Sequence, residues 1–150
     1  MTDILFYHLE RQPLERVLPM LLEKTIERGW RAVVRSITAD RVQAIDEFLW
    51  NYSDESFLVH AVDGEADPSL EPIFISHTTN EPNQPNVLFL VDGSPIPAEV
   101  GSYERIVLMF DGNDEMALKG ARSAWKDVRS RGLEGTYWQQ NENGRWEKKA

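Results

Sequence analysis

Residues 105–112 read RIVLMFDG, and residues 86–93 read NVLFLVDG. Each run is apolar almost throughout and closes on Asp-Gly. A strand with one face in water alternates apolar and polar residues, so continuous apolar runs of this length predict strands buried on both faces, as in a parallel sheet covered by helices. Working outward, residues 3–9 (DILFYHL) predict a first buried strand, ended by the break at residues 11–13. The stretch PLERVLPMLLEKTIERG then places Leu14, Val17, Leu18, Leu21, Leu22 and Ile26 at helical spacing, with Gly29 where a helix stops and Pro19 as a kink or the true first turn. Residues 30–37 (WRAVVRSI) predict a second strand, and Thr38 caps a helix through VQAIDEFLW. SFLVHAV and PIFISH predict further short strands on either side of an acidic loop, residues 63–71. Residues 78–86 predict a loop, SPIPAEVGSY a turn or short helix, and TYWQQ, NENG and RWEKK a hairpin. Strands alternating with helices define an α/β fold with a mostly parallel sheet flanked by helices and a C-terminal hairpin.

The chain has 150 residues, the length of a single domain spanning 1–150, and a formal net charge of −9. That charge is uneven. Residues 1–118 hold 8 basic and 21 acidic side chains, whereas residues 119–150 hold 8 basic and 4 acidic ones. So acidic a body argues against duplex DNA as a ligand, and a basic end argues for an acidic peptide or protein as the partner. The sequence contains no cysteine, which excludes disulfides and thiolate chemistry. It has no membrane-length apolar run and no leader-like opening, so a cytoplasmic location is expected.

Residues 114–131, DEMALKGARSAWKDVRSR, predict a helix with Ala117, Ala121, Ala124 and Val128 on one side and Lys119, Arg122, Lys126 and Arg129 in a stripe on another. Leu118 and Trp125 lie on the border. The pattern fits a helix with a solvated basic face, and it also fits an apolar ledge beside cations that takes a partner with an apolar tip and negative charge.

Signals for catalysis are weaker. Asp92 and Asp111 follow two strands at the end where α/β sheets bind ligands, and a carboxylate pair there can hold Mg2+ for phosphoryl transfer. Asp-Gly is also plain turn chemistry, and the sequence offers no GxGxxG, GxxxxGK[ST] or GxSxG in support. The loop after the first strand, ERQP, has no glycine to cradle a phosphate. His8, His60 and His77 are scattered without metal-ligand spacing, and Ser56 and Ser76 have no readable acid–base partners. No catalytic residue, cofactor or metal site is assigned. Trp50 and Phe57 bracket a polar loop as core plugs or interface anchors, and spacing alone favours the core. Trp125, Trp138 and Trp146 are a conceivable stacking platform for single-stranded DNA.

In order along the chain, ILFYHL, DEFLW with SFLVH, RIVLMFDG, ARSAWK, and YWQQ with GRW together resemble the chi subunit of bacterial DNA polymerase III. The resemblance implies a single-domain Rossmann-like α/β accessory protein without catalytic activity of its own, monomeric when free. It implies a role linking the clamp loader to single-stranded DNA-binding protein, SSB, during replication. By the ARSAWK match, Arg122, Trp125 and Lys126 would take the acidic, phenylalanine-ended SSB tail, with Arg129 nearby and Leu118 standing where the family has a basic residue. Trp50 and Phe57 match the region that contacts the psi subunit. The acidic loop at 63–71 and the hairpin differ in length from other members.

Overall fold

The computed structural model describes residues 2–51, 60–62 and 71–149. Eleven elements follow one another as β1 (Asp3–Leu9), α1 (Leu14–Glu27), β2 (Ala32–Arg35), α2 (Ala39–Trp50), β3 (His60–Val62), β4 (Ile73–Ser76), β5 (Val87–Leu90), β6 (Arg105–Asp111), α3 (Glu115–Ser130), β7 (Glu134–Gln140) and β8 (Trp146–Lys148). They build one eight-stranded sheet in the order β3-β4-β2-β5-β6-β1-β7-β8. Strands β1 to β7 run parallel, and β8 alone is antiparallel, hydrogen-bonded to β7 across the turn at residues 141–145. The two Asp-Gly strands are central, as their apolar runs require.

Alternation along the strands divides the core in two. Val107 and Met109 of β6 join Val17, Leu18 and Leu22 of α1 and Val42, Ile45 and Leu49 of α2 on one face of the sheet. Ile106, Leu108 and Phe110 join Ile4 and Phe6 of β1, with Ala121 and Val128 of α3, on the other. The two helix faces therefore read the same strands in opposite phase.

Local sequence fixes the helix ends. Thr38 caps α2, accepting from Arg41 N at 3.2 Å, and Asp114 caps α3, accepting from Met116 N and Ala117 N. Helices α1 and α3 both end in a Schellman motif. After α1, Gly29 (φ +79°) donates to Ile26 O and Trp30 N to Thr25 O; after α3, Gly132 (φ +72°) donates to Arg129 O and Leu133 N to Val128 O. Pro19 lies inside α1 and is buried, so it does not mark the first turn of that helix. No helix among the described residues is long and apolar enough to cross a membrane.

Candidate functional site

The stripe expected on residues 114–131 forms on α3. Ala121 and Val128 are buried against the sheet and Ala117, Leu118, Ala124 and Trp125 are partly buried against the same cluster. Lys119, Arg122, Lys126 and Arg129 are exposed. Among the described residues none of these four cations comes within salt-bridge distance of a carboxylate. Arg129 Cζ lies 6.0 Å from the Trp125 ring centroid, so cation and aromatic form one patch.

Trp125 is held edge-on. Its ring meets Phe6 at 5.2 Å and 77° and Tyr137 at 5.9 Å and 89°. Gly135 of β7 makes this close approach possible, because a Cβ there would stand 3.1 Å from Trp125 Cζ3 and 3.2 Å from Val128 Cγ1. Tyr137, two residues further on the same face of β7, bonds His8 Nδ1 through its hydroxyl at 2.6 Å. Its pKa is raised mainly by burial, with the nearby Arg122 charge working against that shift and Glu10 adding to it. His8 is buried, its Nε2 3.3 Å from Glu10 Oε1, and its ring fills the space where Gly112 would carry a Cβ. Gly135 and Tyr137 thus support the patch although nothing in the helix pattern names them. The readable signal was the alternation of Leu133, just before β7, with Gly135 and Tyr137 on one face of that strand.

A concavity of about 1240 Å3 opens between the inner flank of α3 and the carboxyl ends of β1, β5 and β6. Six carboxylates line it (Glu10, Glu15, Asp92, Asp111, Asp114 and Asp127) against Arg11 and Arg41. Asp92 and Asp111 both reach this cleft, but each is engaged locally. Asp92, at φ +56°, accepts from Ser36 Oγ at 2.5 Å and Arg41 Nε at 3.0 Å, and Asp111 Oδ1 accepts from Asn113 N at 2.9 Å. Arg41 is correspondingly held more firmly protonated, chiefly by its hydrogen bond to Asp92. Turn chemistry and one ion pair account for both aspartates, and the net negative lining is ill-suited to a phosphate.

Trp50 corrects the core reading that spacing favoured. It is 45% exposed at the end of α2, its ring tilted 37° against the buried His60 ring at 4.3 Å. Asp46 Oδ1 accepts from Trp50 Nε1 at 3.0 Å and sits 2.7 Å from His60 Nε2. Phe57 and Ser56 lie outside the described residues, as does most of the acidic loop. The three-tryptophan platform does not assemble: Trp125 packs on the α3 face with Phe6, whereas Trp138 and Trp146 lie on the opposite face against Tyr7, at 6.5 and 5.0 Å.

A mostly parallel α/β sheet with Asp-Gly turns at the ends of its central strands and an aromatic, cationic helix on its surface is a Rossmann-like protein built without the phosphate loop of that class. The family model described as DNA polymerase III chi subunit, HolC, matches residues 1–136, and the chain belongs to that family. It is 23% identical over 117 residues to the "Probable DNA polymerase III subunit chi" of Rickettsia prowazekii (strain Madrid E), an alignment covering 74% of this chain and 71% of the relative. The family places the chain among the subunits of a replicative DNA polymerase.

Proposed function

We propose that the chain is a non-catalytic accessory subunit of DNA polymerase III that links the clamp-loader assembly to SSB by holding SSB's acidic C-terminal tail along α3. The observation that carries this reading is the patch itself: exposed Arg122, Lys126 and Arg129 with no carboxylate partner among the described residues, beside a Trp125 ring fixed by Phe6 and Tyr137. A tail ending in an aromatic residue and a carboxylate needs an apolar ledge and a guanidinium within reach of each other. Arg122 pairs with the carboxylate, Trp125 and Leu118 form the ledge, and Lys126 and Arg129 steer the acidic approach. Trp50, exposed and held by His60 and Asp46, is the anchor for a psi-type clamp-loader partner, together with Phe57. The free protein is a cytoplasmic monomer without cofactor.

Titration of a fluorescent SSB tail peptide at two ionic strengths tests the reading. Arg122→Ala and Trp125→Ala should each weaken binding by about 1 to 3 kcal/mol, roughly five- to two-hundredfold. If both variants remain folded and bind the tail as the wild type does, the assignment of α3 is wrong.

A further inference from the structure

A second cationic aromatic site lies on the other side of the sheet. A cavity of about 510 Å3 opens between the last turns of α1 and the amino-terminal halves of β5 and β6, and Lys24, Arg28, Trp30, Arg105 and Tyr7 line it. The Schellman motif at Gly29 sets Trp30 at its mouth, and there the ring is flanked by two guanidiniums. Arg28 Cζ is 5.1 Å and Arg105 Cζ 5.5 Å from its centroid.

Three observations point to an anionic ligand. First, Lys24, Arg28 and Arg105 make no ion pair among the described residues, in a protein of net charge −9, and Glu27 is the one carboxylate in the cavity wall. Asp3 and Glu134, which share Arg105's row in the sheet, stay beyond salt-bridge distance. Second, Arg105 Nε is buried with no hydrogen-bond acceptor, a donor that an incoming oxygen would satisfy. Third, the negative potential of the helix end is lessened, because Lys24, Thr25 and Ile26 O already accept from the N–H groups of Arg28, Gly29 and Trp30.

We propose that this cavity binds a phosphate monoester whose sugar also carries a planar base, that is, a nucleotide, either free or as the 5′ end of a single strand. Three cations match the roughly twofold charge of such a phosphate better than the single charge of a carboxylate. Guanidiniums already held over an indole are pre-organised donors, and the outer face of a guanidinium is a flat surface on which a base can stack. The volume lies within the range of small-ligand sites. The site is independent of α3, across the sheet from it.

Two-dimensional NMR of the full chain, following the indole N–H resonances, tests the proposal with adenosine monophosphate, adenosine, inorganic phosphate and a 5′-phosphorylated single-stranded oligonucleotide. Adenosine monophosphate should shift the Trp30 signal saturably, and adenosine should bind at least about tenfold more weakly. Arg105→Gln and Arg28→Gln should each lose about fivefold or more in affinity, the second at an exposed helix end where folding is little affected, while Arg122→Ala should change nothing. Oligonucleotide binding at least as tight as that of the monophosphate assigns the site to a strand end, and binding of the monophosphate alone assigns it to a free nucleotide. Absence of a saturable shift with either, or unaltered binding in both arginine variants, overturns the proposal.

Discussion

Arg35 and Arg41 differ from Arg122 and Arg129 only in what surrounds them. Arg35, 8% exposed at the end of β2, gives its Nη2 to Glu81 Oε2 at 2.7 Å, and the same oxygen accepts from the Tyr103 hydroxyl. Arg41 is tied to Asp92. The arginines of α3 meet no carboxylate among the described residues. One set closes loops over the sheet, and the other leaves its charge available to something outside the chain. The difference teaches that a count of basic residues carries little until internal partners are subtracted.

The comparison breaks most visibly at Glu81. Glu81→Ala strands a buried guanidinium and should cost about 3 kcal/mol of stability, measured by urea unfolding, while leaving tail-peptide binding intact. Next comes Gly135→Ala, whose new methyl presses on Trp125 and Val128. It should cost about 1 to 2 kcal/mol of stability and weaken the tail as well, and an unaltered tail affinity would separate Trp125's geometry from binding. The double variant Lys126→Ala, Arg129→Ala should lose about 1 kcal/mol of tail binding at low salt and much less at high salt, because exposed charges are screened. Asp92→Asn keeps a residue that tolerates φ +56° and removes only a partly exposed ion pair, so its stability loss should stay under about 1 kcal/mol.

The last effect shows only at alkaline pH. The Tyr103 phenol is pushed up to about 12, first by burial and then by its bond to the Glu81 carboxylate, with Arg35 opposing. Folded protein keeps this proton where the unfolded chain, at about 10, loses it. The contribution is therefore complete below about pH 10 and disappears as pH rises toward 12. Tyr103→Phe should flatten that part of the stability profile, and an unchanged alkaline slope would show that the phenol does not titrate against Glu81.

Much of this was legible in the chain. The apolar runs of β5 and β6, the cap Thr38 and the glycine after α1 are local signals, and the observed elements follow them to within a few residues. The wheel of α3 also sorted its residues correctly, since one helix face meets one sheet. What could not be read was which strands neighbour which. Strand order decides that Phe6, Tyr137 and Trp125 share a face and that Trp138 and Trp146 do not. Spacing alone favoured the core for Trp50 for a related reason, because spacing describes α2 but not where the sheet stops covering it, whereas the family resemblance had put it at a partner surface.

The last strand, β8, lies at an edge of the sheet and reads Trp146, Glu147, Lys148. An edge exposes a row of unpaired amides and carbonyls that any extended chain can join. Here three charged side chains in succession, Glu147, Lys148 and Lys149, line that border, with Lys149 Nζ 3.2 Å from Glu147 Oε2 and Asn141 donating to Glu147. Such a border resists lengthening of the sheet by stray strands, so extended tails are turned away from the rim. Removing these charges should make the protein more prone to self-associate at high concentration without altering its fold.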